Sequence, residues 1–106
     1  MAAQPVNRLA IAGRICTEPD TRVSPAGVPI TRFTLEHESQ QPEAGGNRQV
    51  RCRIRVVAAG PEWQQVAQQP RNGDRIRVEG FVSQAGYRSA EFSLVLHAQR
   101  IEVLDD

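Results

Sequence analysis

Three arginines alternate with other residues between positions 51 and 55: Arg51, Arg53 and Arg55 are separated by Cys52 and Ile54. Successive side chains of a β-strand point to opposite faces, so in a strand these three guanidinium groups share one face about 7 Å apart. A guanidinium group is permanently charged and carries several N–H donors, which suits it to phosphate oxygens and to stacking on bases. The spacing therefore predicts a polyanion-binding strand, with an ordinary solvated strand face as the alternative.

Two further pairs of residues extend this chemistry. Tyr87 and Arg88 would place a ring for stacking and a charge for a phosphate in one short polar loop. Arg75 and Arg77 repeat the alternation on a later segment, where acidic neighbours could neutralise them as cross-strand ion pairs. Both outcomes stay open for that second pair. The acidic neighbours are Asp74 and Glu79.

The basic charge is concentrated in the middle of the chain. All 13 basic residues are arginines, and the formal net charge is only +1. Residues 48–88 nevertheless hold eight arginines against three acids, a net charge of +5, whereas residues 1–47 carry −1 and residues 89–106 carry −3. A polyanion would therefore meet the middle segment first. Glu36 and Glu38, two apart on one predicted strand, are expected to pair with arginines.

Catalytic or metal chemistry has little support in the sequence. His37 and His97 lack a convincing Ser, Cys or carboxylate partner, and no phosphate-cradling glycine motif is present. Cys16 and Cys52 lie far apart without metal-ligand spacing, so we expect buried free thiols. We therefore predict no catalytic residue, no metal, no cofactor and no enzyme. Without a long apolar segment, a soluble cytoplasmic protein without membrane contact is expected.

Aromatic side chains make up only 5% of the chain, so stacking surfaces should be scarce. Phe33, Phe81 and Phe92 fall largely on predicted core-facing positions. Trp63 lies on the apolar side of a short predicted helix and should pack against the end of a barrel. Single-strand binding by such a chain would depend mainly on electrostatics and would be sensitive to salt.

The elements that position these residues are mainly β-strands, because apolar and polar residues alternate in five or six segments. These segments cover residues 6–15, 21–23, 30–38, 48–58, 74–83 and 91–104. We expect a short helix at 62–69 and mobile loops at about 39–48 and 84–90. The order predicts one domain, residues 1–106, folded as an all-β, five-stranded Greek-key OB-fold barrel with a short helix between strands 3 and 4. An SH3-like barrel or a small sandwich is the main alternative.

Several segments carry a more specific signature, namely NRL at 7–9, VSPAGVP at 23–29, FTLEHES at 33–39, EAGGNRQ at 43–49, GDRIRVEGFVS at 73–83 and LVLHAQRIE at 94–102. They resemble the primosomal replication protein N (PriB) family, within the single-strand-DNA-binding OB-fold group. The resemblance implies a homodimer that binds single-stranded DNA and joins the helicase PriA and the protein DnaT in restarting replication. It also implies a bacterial cytoplasmic protein, nucleoid-associated at replication forks.

The resemblance also carries over individual positions. The family's basic DNA contacts are matched by Arg22, Arg48 and Arg88, while Arg51 replaces its tryptophan and Gly46 its loop phenylalanine. Other basic positions of the family are occupied by Glu38, Gly86 and Ser93. The predicted single-stranded DNA site comprises Arg22, Arg48, Arg51, Arg53, Arg55, Tyr87 and Arg88. The predicted function is sequence-independent single-stranded DNA binding as a primosome accessory that stimulates or loads a restart helicase. The alternative is a protein–protein adaptor with weak DNA affinity.

Overall fold

The computed structural model describes residues 4–65, 69–86 and 93–105. Within these residues the chain forms six strands and one 3-10 turn: β1 (Leu9–Ile15), β2 (Asp20–Val23), β3 (Pro29–Glu43), β4 (Gly46–Ala59), the 3-10 turn (Pro61–Gln64), β5 (Arg75–Gln84) and β6 (Leu94–Val103). In the parts of the chain that are described, no helix is long and apolar enough to cross a membrane.

Five of these strands close into a barrel. β1 pairs antiparallel with β5 on one side and, at its end, with β3 on the other. β3 pairs antiparallel with β4, β5 pairs antiparallel with β6, and β4 and β6 pair in parallel. The short β2 extends β3 at the edge of the sheet. The predicted five-stranded barrel, with a short helical element between its third and fourth strands, is confirmed.

The core follows from the alternation along these strands. Seven side chains from all five barrel strands are buried together: Ile15, Phe33, Leu35, Val56, Ile76, Val78 and Leu96. Full burial of an aliphatic side chain contributes about 1.5–3 kcal/mol, so this cluster is the main source of stability. Thr31 is the one buried polar residue of the described chain, and its hydroxyl lies 2.8 Å from the hydroxyl of Thr21. The hydrogen bond offsets the cost of burying that hydroxyl.

Two glycines permit close approaches between strands. Where β1 passes from β5 to β3, a Cβ on Gly13 would lie 2.2 Å from the carbonyl oxygen of Glu36. At the irregular pairing between β5 and β6, a Cβ on Gly80 would lie 1.8 Å from the carbonyl oxygen of His97. Because no real side chain fits at such distances, glycine is required where the barrel closes and where it bends.

The loop predicted at 39–48 is wrong, because β3 and β4 form a hairpin that is paired as far as Glu43 and Gly46. Ala44 and Gly45 connect the strands, with φ angles of 51° and 81°. Positive φ at both central residues is typical of a type I′ turn, whose twist matches that of the flanking strands. The outer part of this hairpin is exposed on both faces, so it lacks the apolar alternation that identifies a half-buried strand.

The predicted helix at 62–69 is also wrong in extent. In the described part of this segment a single 3-10 turn forms, and Gln65 after it is extended, with ψ 136°. Trp63 is buried, as expected, and its indole N–H donates to the carbonyl oxygen of Ala59 at 3.1 Å. Residues 66–68 lie outside the described residues, as do residues 87–92, which include most of the second predicted loop and Phe92.

The two cysteines are free but exposed, contrary to the expectation of buried thiols. Cys16 directly follows the last residue of β1. Cys52 lies opposite His37, two positions beyond the Leu35–Ile54 pair at which the hairpin leaves the core. The alternation of β4 continues through Cys52, but the core that would cover its side chain does not.

Candidate nucleic-acid interface

The outer face of β3 and β4 carries the arginines that the sequence singled out. Thr34 faces Arg55, Glu36 faces Arg53, and Glu38 faces Arg51 in the antiparallel register. Arg51, Arg53 and Arg55 are all exposed and share one strand face, as predicted. Their counterparts on β3 alternate with the core residues Phe33 and Leu35, which fixes the orientation of the whole face.

Two of the three arginines are neutralised across the strands. The Nε atom of Arg53 lies 3.0 Å from Oε2 of Glu36, and the Nε atom of Arg51 lies 3.1 Å from Oε1 of Glu38. Nη2 of Arg51 also lies 3.7 Å from Oε1 of Glu36. The expectation that both glutamates pair with arginines is confirmed. We call these four residues the ion-pair ladder; such exposed pairs add only about 0–1 kcal/mol each to stability, but they cancel local charge.

The other two described arginines of the predicted site are paired with acids on their own hairpins. Nη1 of Arg48 lies 3.2 Å from Oε1 of Glu43, near the tip of the β3–β4 hairpin. Nε of Arg22 lies 3.0 Å from Oδ2 of Asp20 on β2. All four side chains are largely exposed, so a phosphate could displace either carboxylate at modest cost. Tyr87 and Arg88, the remaining predicted residues, lie outside the described residues.

Arg55 and Arg32 are the cations on this face that have no ion pair within the described chain. They line a shallow cavity of about 300 Å³ together with Thr17, Thr34 and Val57. Arg32 was missed as a candidate. Its alternation with Phe33 puts it on the same face as Thr34, and its cross-strand partner is Val57 rather than an acid. The alternation that exposes Arg32 is visible in the sequence. That Arg32 lies near Arg55, however, can be predicted only once the register of the β3–β4 hairpin is known.

The face continues beyond β4 onto β6 and β5. Val57 pairs with His97 on β6, and His97 pairs in turn with Phe81 on β5, so Arg32, Val57, His97 and Phe81 form one row across four strands. The rings of Phe81 and His97 are stacked, with centroids 4.8 Å apart and planes 7° apart. Phe81 is 38% exposed, so its predicted core position is wrong.

The alternation at Arg75 and Arg77 has a different role. Arg77 is paired with Glu79 along its own strand rather than across strands. Arg75 donates to the carbonyl oxygen of Asp105 at 3.3 Å. Asp74 accepts a hydrogen bond from the backbone N–H of Arg71. These contacts lie at the start of β5, and the charge of Arg77 is neutralised by Glu79.

Both histidines have hydrogen-bond partners. The Nδ1 atom of His37 lies 2.6 Å from the carbonyl oxygen of Ala12, and its Nε2 atom lies 2.7 Å from the hydroxyl of Ser39. The Nε2 atom of His97 lies 2.6 Å from the hydroxyl of Ser83. Across residues 4–65, 69–86 and 93–105, no group of three or more His, Cys, Asp or Glu side chains is placed to hold a metal ion.

A closed five-stranded barrel with this strand order defines the OB-fold class of proteins. The profile of a family described as "Another single-strand binding protein family" matches residues 7–100. Within that class, the chain belongs to the replication restart protein PriB family.

Individual relatives support this assignment. The replication restart protein PriB of Erwinia tasmaniensis is 43% identical over 99 residues, which cover 93% of this chain and 94% of that protein. The PriB structure from Ralstonia solanacearum superposes with a TM-score of 0.77 at 28% identity, covering 93% of this chain and 98% of that one. The Plasmodium falciparum SSB in complex with single-stranded DNA has a TM-score of 0.76, covering 99% of this chain and all of that one; at 17% identity it shows the fold alone. None of these names denotes an enzyme.

Proposed function

We propose that this protein binds single-stranded DNA without sequence preference, as an accessory of the replication-restart primosome that stimulates or loads a restart helicase. The family assignment supports the restart role, because the relatives are replication restart proteins. The OB fold supports the ligand, since this barrel commonly binds oligonucleotides on the face of its second and third strands. In this chain those two strands are β3 and β4.

The observation that carries the proposal is the pair of guanidinium groups on Arg32 and Arg55, which have no ion pair among the residues that the structure describes. Both are exposed, both lie on the outer face of the hairpin, and they border one cavity. Arginine binds phosphate oxygens through parallel N–H donors, and it needs no base-specific geometry to do so. Contacts of this kind fix a phosphodiester backbone while leaving the base sequence free.

Partners follow from the same family assignment. We infer a homodimer, with single-stranded DNA as ligand and with PriA helicase and DnaT as protein partners in the bacterial cytoplasm at replication forks. The arginine face would meet the DNA, so a helicase that acts on the same strand would contact the barrel close to it. No membrane partner is proposed.

One observation favours a second function, a protein–protein adaptor with weak DNA affinity. The ion-pair ladder neutralises Arg51 and Arg53, and Arg48 and Arg22 also have carboxylate partners. Because each exposed phosphate contact depends on a free cation, a surface so largely paired would bind DNA weakly at physiological salt.

The two functions are separated by fluorescence anisotropy of a labelled oligo-dT at several salt concentrations, with a duplex of the same length as control. The test variant is Arg32→Gln/Arg55→Gln. The matched control is Arg71→Gln/Arg75→Gln, which removes the same charge from the loop before β5 and from the first residue of that strand, away from the cavity. Each single-strand phosphate contact adds about 0.7 to the slope of log affinity against log salt, so we expect the test variant to lower that slope by about 1.4.

Salt-sensitive binding that prefers the single strand and weakens about tenfold in the test variant, but less in the control, supports the DNA-binding function. Equal losses in the two variants would mean that net charge, and not this surface, attracts DNA. Negligible binding by the wild-type protein at low salt would contradict the DNA-binding function and favour the adaptor.

A further inference from the structure

The stacked pair of Phe81 and His97 is an aromatic surface that the charged residues alone do not explain. The hydrogen bond between His97 and Ser83 fixes the imidazole ring, and the rings of Phe81 and His97 are stacked nearly parallel. More than a third of Phe81 remains accessible on the outside of the barrel. A rigid, exposed ring pair is preorganised for stacking, because little side-chain entropy remains to be lost on binding.

Cations surround this pair. In its row, Val57 separates His97 from Arg32, and neighbouring strands lie about 4.8 Å apart, so the two Cα atoms are separated by roughly 10 Å. An extended arginine side chain can cover much of that distance. Arg55 lies in the adjacent row, opposite Val95. Both arginines therefore lie on the same outer side of the barrel as the rings, in the same row or the adjacent one.

A third cation lies on the opposite side of the pair. The side chain of Asn7 makes two hydrogen bonds with the backbone of Val82, and Leu9 pairs with Gly80. Arg8, between these two anchors, is thereby placed alongside Phe81. The acid of the neighbouring pair on β5, Glu79, is already bound to Arg77. Among the described residues, the charge around the rings is thus positive and suits a polyanion.

We propose that Phe81 and His97 form a stacking platform for a nucleobase of single-stranded DNA, with Arg32 and Arg55 holding the adjacent phosphates. The inference rests on the proposed DNA-binding function and specifies the path of the strand, which crosses β3, β4, β6 and β5 instead of following the arginines along β4. The combination of an aromatic surface with flanking arginines is the arrangement by which single strands are bound without sequence preference.

The experiment compares two labelled probes: an oligo-dT and an oligonucleotide of equal length whose central nucleotides are abasic. Both carry the same phosphates, but only the first offers central bases for stacking. Their affinities are measured for the wild-type protein, Phe81→Leu and Phe81→Tyr, with Val103→Ala as an exposed apolar control at the far end of β6. Thermal unfolding of each variant checks that the barrel is intact.

We expect the wild-type protein to bind oligo-dT at least fivefold more tightly than the abasic probe. Phe81→Leu should lose most of that preference without changing the salt slope, whereas Phe81→Tyr and Val103→Ala should keep it. An unchanged preference in Phe81→Leu, or an equal loss on both probes, would overturn the platform while leaving DNA binding in place. Absence of binding by the wild-type protein to either probe would instead contradict the proposed function.

Discussion

Glu36 on β3 faces Arg53 on β4, and its Oε2 atom lies 3.0 Å from Nε of that arginine. The other carboxylate oxygen of Glu36 lies 3.7 Å from Arg51, so one acid serves two of the three arginines that alternate along the strand. Alternation alone places three cations on one face. The strand opposite then determines which of them can meet a phosphate, and here it leaves Arg55.

Removing the carboxylates should therefore expose a stronger DNA site. In Glu36→Gln/Glu38→Gln, Arg51 and Arg53 lose their partners and become available to phosphates. We expect affinity for oligo-dT at low salt to rise by roughly fivefold or more, since each exposed pair is worth up to about 1 kcal/mol. The salt slope should steepen by up to about 1.4. Anisotropy titrations across a salt series measure both quantities.

Two controls distinguish the effect of breaking the ion-pair ladder from the effect of changing the net charge. Glu62→Gln/Glu102→Gln removes two acids outside the ladder and should raise affinity much less. Replacing all four ladder residues by glutamine keeps the net charge and should leave affinity within about twofold of wild type. A large loss in that quadruple variant would show that Arg51 or Arg53 contacts DNA despite its glutamate.

The close approach at Gly13 should make that residue sensitive to a single added carbon. In Gly13→Ala the new Cβ meets the backbone of Glu36, which cannot rotate away, so β1 or β3 must shift. We expect the free energy of unfolding to fall by about 1–3 kcal/mol in urea titrations. Gly46→Ala is the matched control, because its Cβ would meet nothing closer than 4.0 Å, and it should change stability by less than about 0.5 kcal/mol.

Both thiols should react in the folded protein. Cys16 and Cys52 are exposed, so a thiol-reactive chromogenic reagent should titrate two groups per chain without denaturant. The same reaction in urea provides the control, and its endpoint should be equal. A native endpoint of one or zero would mean that an association between chains, or a rearranged hairpin, covers a thiol.

Trp63 should report folding and not ligand binding. Its ring is 7% exposed and its N–H is bound to Ala59, so its emission should be blue-shifted relative to indole in water and should shift to the red on unfolding. Saturating oligo-dT should leave that emission nearly unchanged, because the proposed platform lies on the outside of the barrel. Strong quenching by oligo-dT would contradict this and would place the DNA at the end of the barrel that carries the 3-10 turn.

Much of the barrel could be predicted from the sequence because its strands are half-buried. Segments such as Phe33–Leu35 and Ile76–Val78 alternate between core and solvent, and this period is visible without a structure. The shared face of Arg51, Arg53 and Arg55 follows from the same period. Trp63 could be assigned to the barrel end because it lies among apolar neighbours beside Gly60 and Pro61.

Features that depend on how the strands pair, and not on the alternation of residues along one strand, were harder to predict. The outer hairpin between Ser39 and Arg48 is held by backbone hydrogen bonds and a tight turn, so its polar composition resembled that of a loop. The ion-pair ladder depends on the β3–β4 register, and so does the placement of Arg32 and Arg55, which have no ion pair in the described part of the chain. The exposure of Phe81 depends on which part of β5 the neighbouring elements leave uncovered.

The parallel seam between β4 and β6 has a consequence for when the interface exists. Among the described residues, three pairs form this seam, from Arg55–Val95 to Val57–His97, and they join segments that are far apart in the chain. Contacts of such long sequence separation form late in folding, because the loop entropy must be lost before they stabilise anything. The row that links Arg32 to Phe81 is therefore assembled only when β6 docks. In a nascent chain that lacks β6, the arginines of β3 and β4 are present but Phe81 and His97 are not yet stacked. Such a chain should bind phosphates before it can bind bases.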